Sequence, residues 1–166
     1  MPMARRMFLL PLLCALTAPA TAQQSERSAG LDWLVGSWKG GGTHSGRPSE
    51  ASLDARPAIG GKFLELRYRV EIRPPRPFTF EGRAFYRPGE GGGWKGDWFD
   101  SRGIVMPITA AATGTTLTSD WGNAQTERGR TLYRLLADGR LEITDTVVGR
   151  DGTSREFARQ TLKRTR

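Results

Sequence analysis

The chain has 166 residues, one cysteine, one histidine and a formal net charge of +8, from 25 Lys and Arg against 17 Asp and Glu. A domain of this size buries roughly two-thirds of its unfolded surface, so packing alone is enough to hold it. The positive charge is scattered as single arginines between apolar residues, without the clustered basic stripe that nucleic-acid binding requires.

The first residues carry Arg5 and Arg6, then an apolar run from Met7 to Leu16, then a small-residue tract ending Ala20-Thr21-Ala22. That is the pattern of a secretory signal cut after Ala22. An apolar run of about ten residues makes about 15 Å of helix, half of what a bilayer core demands, so it is too short for an anchor. Cys14 lies inside this signal, preceded by Leu13 and followed by Ala15. That order is wrong for lipid attachment, which wants the small residue first. Removing the 22 residues leaves 144 and lowers the charge to +6. The mature chain then has no cysteine, hence no disulfide and no thiolate metal site. A periplasmic or secreted location is expected.

Residues 23–30 read as a polar leader, with Ser28 placed to cap one helical turn through Leu31, Trp33 and Leu34. The domain proper is expected over 31–166. Strands are expected at Leu34–Gly40 and Ser49–Arg56, and the clearest follows at Lys62–Arg73. There Leu64, Leu66, Tyr68, Val70 and Ile72 alternate with Glu65, Arg67, Arg69 and Glu71, the period of a half-buried strand. Pro74-Pro75-Arg76-Pro77 breaks the ladder. Phe78, Phe80, Ala84 and Tyr86 then alternate with Thr79, Glu81 and Arg83.

Six further strands are expected at Trp94–Asp100, Gly103–Ala112, Thr115–Trp121, Gln125–Leu136, Arg140–Val148 and Thr153–Lys163. Turns rich in Gly, Asn and Asp separate them. About ten short strands with no helical period between them define an all-β chain, and sequential hairpins favour a single antiparallel up-and-down barrel. A membrane barrel needs an apolar outer face with aromatic girdles. Here the outer face carries Glu65, Arg67, Arg69 and Glu71, so membrane insertion of the mature chain is not expected.

Leu31-Asp-Trp-Leu-Val-Gly-Ser-Trp38 resembles the first strand of calycin barrels: lipocalins, fatty-acid-binding proteins and nitrobindin-like domains, which share a G-x-W after a short helical turn. Leu34–Gly40, Gly60–Tyr68, Phe80-Glu-Gly82 and Trp98-Phe-Asp-Ser101 together resemble an uncharacterised exported family of lipocalin-like domains, over most of the mature chain. The resemblance implies the fold and a cavity, with no assigned activity. It implies that Trp38 plugs one barrel end beneath a basic residue of the last strand: Arg155, Arg159 or Lys163. Nitrobindin-like domains hold heme through a histidine of a late strand. His44, the only histidine, lies in the early segment Gly40–Gly46, so heme is not expected and no cofactor is assigned.

The same glycine-rich segment reads as a flexible loop, which makes His44 a poor catalytic base, and one histidine without cysteine all but excludes zinc. The glycines at 40–42 and 89–93 lack the lysine and helix of a phosphate loop and read as hairpin loops. Carboxylate pairs for acid–base chemistry are conceivable between Asp97 or Asp100 and Glu81 or Asp145. Asp100 alternatively caps its own turn. The interior face carries Tyr68, Phe80, Tyr86, Trp94, Trp98 and Trp121, which suits either plain packing or an aromatic cavity. The preferred expectation is a cavity for a small apolar or amphipathic molecule, lined by Leu66, Tyr68, Phe80, Tyr86, Trp98 and Trp121, with Asp100 or Arg134 as polar anchor. The alternatives are a carboxylate-dependent hydrolase or isomerase in the barrel mouth, and a ligand-free interaction module.

Overall fold

A computed structural model of the chain describes residues 30–165. The expected signal at 1–22, the expected leader up to residue 29 and the Ser28 cap lie outside the described residues. Ten strands follow one another: β1 (Gly36–His44), β2 (Arg47–Ala58), β3 (Phe63–Ile72), β4 (Phe78–Pro88), β5 (Trp94–Asp100), β6 (Val105–Thr113), β7 (Thr116–Gly122), β8 (Arg128–Leu135), β9 (Leu141–Val148) and β10 (Ser154–Arg164). Each pairs antiparallel with the next, and β10 closes onto β1, so the sheet is a closed up-and-down barrel. A 3-10 turn at Glu90–Gly92 is the only helical element among the described residues. Closure leaves no unpaired strand edge, which removes the main aggregation hazard of an all-β chain.

The alternation seen in the sequence becomes the inside and outside of this barrel. Leu64, Leu66, Tyr68, Val70 and Ile72 are buried, and the register aligns them with inward residues of both neighbouring strands. The outer face is laced with ion pairs such as Arg69–Glu71, Arg130–Asp120 and Arg134–Glu142. Glu65 is an outward residue covered by Arg56 and Arg67, at 2.9 and 2.8 Å.

Two expectations are corrected. The glycines at 40–42 form no loop: they are the middle of β1, and His44 is its last residue. Glycine is a poor strand former, yet here it permits close approach of β10. A Cβ on Gly40 would sit 2.1 Å from the Thr161 carbonyl oxygen, and one on Gly42 2.0 Å from that of Arg159. The β1–β2 hairpin turns instead at Ser45-Gly46, both with positive φ, which suits the tight two-residue turn.

One pole is sealed. The chain enters it through a hydrogen-bonded turn at residues 30–34, where the Leu34 amide donates to the Leu31 carbonyl. Leu31 and Leu34 are buried, and Trp38 beside them donates its Nε1–H to the Leu34 carbonyl at 2.9 Å. The cation over the indole is Arg164, with its guanidinium carbon 4.0 Å from the ring centroid. It also donates to the carbonyls of Trp33 and Val35. The three residues expected in this role face elsewhere because of parity. Ala158, Gln160 and Leu162 point inward, so Arg164 continues that row while Arg159 and Lys163 point out. A bulge between Glu156 and Ala158 shifts the row, and Arg155 reaches the opposite pole.

Candidate functional site

At that opposite pole the barrel is hollow. A cavity of about 320 Å³ opens between the β1–β2, β3–β4, β5–β6, β7–β8 and β9–β10 connections. Its volume is at the small end of the range of ligand pockets. In liquid water it would correspond to about ten molecules at ~30 Å³ each.

Two tryptophans make its walls, and two glycines decide how they lie. Trp98 of β5 presses its ring against Gly82 of β4, where a Cβ would be 2.0 Å from Cζ2. Trp121 of β7 does the same against Gly129 of β8, at 2.3 Å. With no side chain beneath them, both indoles rest directly on the neighbouring strand and leave the barrel axis open. Phe80 stacks on Trp98 at 6.2 Å and 17°, and Arg102 caps Phe80 from the mouth at 5.8 Å.

The floor is polar. Asp145 of β9 is only 8% exposed, yet no cation contacts it among the described residues. Its Oδ1 accepts the Thr131 hydroxyl at 2.6 Å, and that hydroxyl accepts the Trp121 Nε1–H at 3.2 Å. Oδ2 has no donor among the described residues. Burial pushes the carboxyl up to about 6, opposed by the Thr131 hydrogen bond, with Glu156 adding slightly to the rise. The Tyr68 hydroxyl, which lines the same cavity, is buried and has no hydrogen-bond partner among the described residues. Burial, then the charge on Asp145, drives the Tyr68 phenol well above its ordinary value. Tyr133 is likewise raised by burial first, then by Tyr86 and Asp145. Both phenols therefore stay protonated.

The rim is charged. Arg102 pairs with Asp100 at 2.8 Å and with Glu127 at 2.9 Å, joining two of the mouth connections. His44 packs edge-on against Phe157, with ring centroids 5.5 Å apart. Burial first, then Arg47, lowers its imidazole below the ordinary value, against a backbone hydrogen bond that raises it. His44 thus lines the mouth from the first strand rather than from a loop.

Of the eight residues expected at the site, Tyr68, Phe80, Trp98 and Trp121 line the cavity. Leu66 and Tyr86 belong to the packed half, at 0% and 1% exposure, with the Tyr86 hydroxyl bonded to Ser119 at 2.8 Å. Asp100 holds its own turn: Oδ1 accepts the Arg102 amide at 2.9 Å. Burial opposes its ionisation, but the Arg102 hydrogen bonds win and hold the carboxyl below its usual range. Arg134 points out of the barrel and pairs with Glu142 at 2.6 Å, as its place next to inward Tyr133 requires. The carboxylate pairs do not assemble: Asp97 and Glu81 are exposed, and Asp145 is alone on the floor. The sequence reading missed the two supporting glycines, Thr131, and His44 at the mouth. Carrying the even-numbered parity of Trp38 along β1 would have pointed His44 inward.

A closed ten-stranded antiparallel barrel, plugged at one pole by tryptophan under arginine and hollow at the other, is consistent with the calycin-like class. No protein-family model matches the chain, and no curated protein matches it.

Proposed function

We propose that this chain is an exported barrel that binds a small apolar or amphipathic molecule in its cavity. The observation that carries the reading is the pair of indoles laid flat on Gly82 and Gly129. A barrel whose interior served only packing would let these side chains fill the axis, since interiors are close-packed to the density of organic crystals. The resemblance to exported lipocalin-like domains supports the same reading, and the outward ion pairs suit a barrel surrounded by water rather than lipid.

A naphthalene-sized neutral fluorophore should bind with about one per barrel, quench tryptophan emission, and raise the melting temperature as its concentration rises. Absence of saturable binding in the native barrel would end the carrier reading. Export has its own check. N-terminal sequencing of the protein recovered from its host should begin at Gln23, and an intact Met1 on the cytosolic protein would contradict it.

A further inference from the structure

The chemistry of the floor narrows what the cavity takes. Three features must be met together: a buried carboxylate with one oxygen free, a buried phenol without a partner, and walls of aromatic faces. An anionic ligand would set like charges together at a largely buried site. A neutral hydroxyl offers one proton and leaves the charge on Asp145 uncompensated. An ammonium offers three donors and the opposite charge. Its remaining surface suits aromatic faces, because ring quadrupoles attract cations.

Resting on the cavity reading above, we infer that the ligand is an amphipathic cation. Its protonated amine meets the Asp145 carboxylate and the Tyr68 hydroxyl oxygen at the floor, while its apolar body lies between Trp98, Trp121 and Phe80. Thr131 positions the carboxylate through its 2.6 Å hydrogen bond and is itself held by the Trp121 indole N–H. Floor and wall are thus one connected unit. With Asp145 ionised at neutral pH, an unpaired buried charge is costly, and an incoming cation removes that cost. Two arginines line the cavity: Arg102 is engaged at the rim by Asp100 and Glu127, and Arg155 forms no ion pair with Asp145 among the described residues. The positive net charge of the chain acts on an approaching cation through solvent, where it is screened beyond about 10 Å at 0.1 M salt. The contact at the floor is made inside the barrel.

Three probes of equal size separate the possibilities: phenethylamine, phenethyl alcohol and phenylacetate, titrated into the purified protein at neutral pH and followed by calorimetry and tryptophan emission. Phenethylamine should bind at least tenfold tighter than the alcohol, and phenylacetate most weakly. Asp145→Asn should bring the amine down to the level of the alcohol while changing the alcohol less than about twofold. Tyr68→Phe should weaken the amine by a smaller factor. Equal affinity for amine and alcohol, or preference for phenylacetate, overturns the cation assignment and leaves the cavity reading standing. So does a failure of all three to bind while the neutral fluorophore does. If the fluorophore fails as well, both readings fall. The comparison among probes is made on the unaltered protein, so a poorly folding variant does not blunt it.

Discussion

At about pH 7.5 the Asp145→Asn variant should be more stable than the parent by about 2–3 kcal/mol, and the difference should vanish near pH 4. The carboxyl ionises at 3.8 as a free side chain and at about 6 in the barrel. Between these values the folded state binds more protons than the unfolded chain, so stability falls as pH rises. The contribution is fully present below pH 3.8 and lost once the pH has passed about 6. A difference of about two units, at ~1.4 kcal/mol each, gives a cost near 3 kcal/mol at neutral pH. An asparagine carbonyl still accepts the Thr131 hydroxyl without the buried charge. Urea unfolding of both proteins across this range, with unchanged m-values, measures the effect. Equal stability at every pH would mean that the carboxylate is already compensated, and a less stable variant at pH 7.5 would mean that it is paired as an anion. A gain in stability together with loss of amine binding is the trade-off expected when a fold carries an uncompensated charge for function.

Trp38→Ala should cost about 3–5 kcal/mol, the range for deleting a buried aromatic, whereas Trp98→Ala should cost under about 2 kcal/mol. Both are indoles on inward positions, but their surroundings differ. Trp38 is 1% exposed, hydrogen-bonded to Leu34 and covered by Arg164. Removing it opens a closed void at the sealed pole and strands a cation over nothing. Trp98 lies against the backbone of Gly82 and stacks with the Phe80 ring, in a wall that already borders open space. Its removal enlarges a solvent-connected cavity instead of creating a sealed one. Guanidinium unfolding of the two variants, with fluorophore titration of Trp98→Ala, reads both effects. Equal costs would make Trp98 part of the core and count against the cavity.

Much of this architecture is written locally. A strand needs only period-2 alternation and a turn needs only Gly, Asn, Asp or Pro in place, so the ten strands and most of their separators can be read residue by residue. The same alternation puts Tyr68, Phe80, Trp98 and Trp121 on the interior face and, followed through Tyr133, puts Arg134 outside. The glycine run at 40–42 misleads because propensity describes an isolated segment, while the close approach of β10 is a property of the closed sheet. Which arginine covers Trp38 depends on the β1–β10 register, which sets Arg164 opposite Trp38, and that closing pairing leaves no local mark in the sequence. Whether inward aromatics fill the barrel or line it turns on Gly82 and Gly129, whose partners Trp98 and Trp121 lie on neighbouring strands. Asp145 is the sharpest case. In the sequence it is one acidic residue among several, and its chemistry comes from what surrounds it: Thr131 from β8, Tyr68 from across the barrel, and no paired cation among the described residues. Alternation is a property of one strand and survives in the sequence. Enclosure, desolvation and the absence of a compensating charge are properties of ten strands brought together, and only the closed barrel decides them.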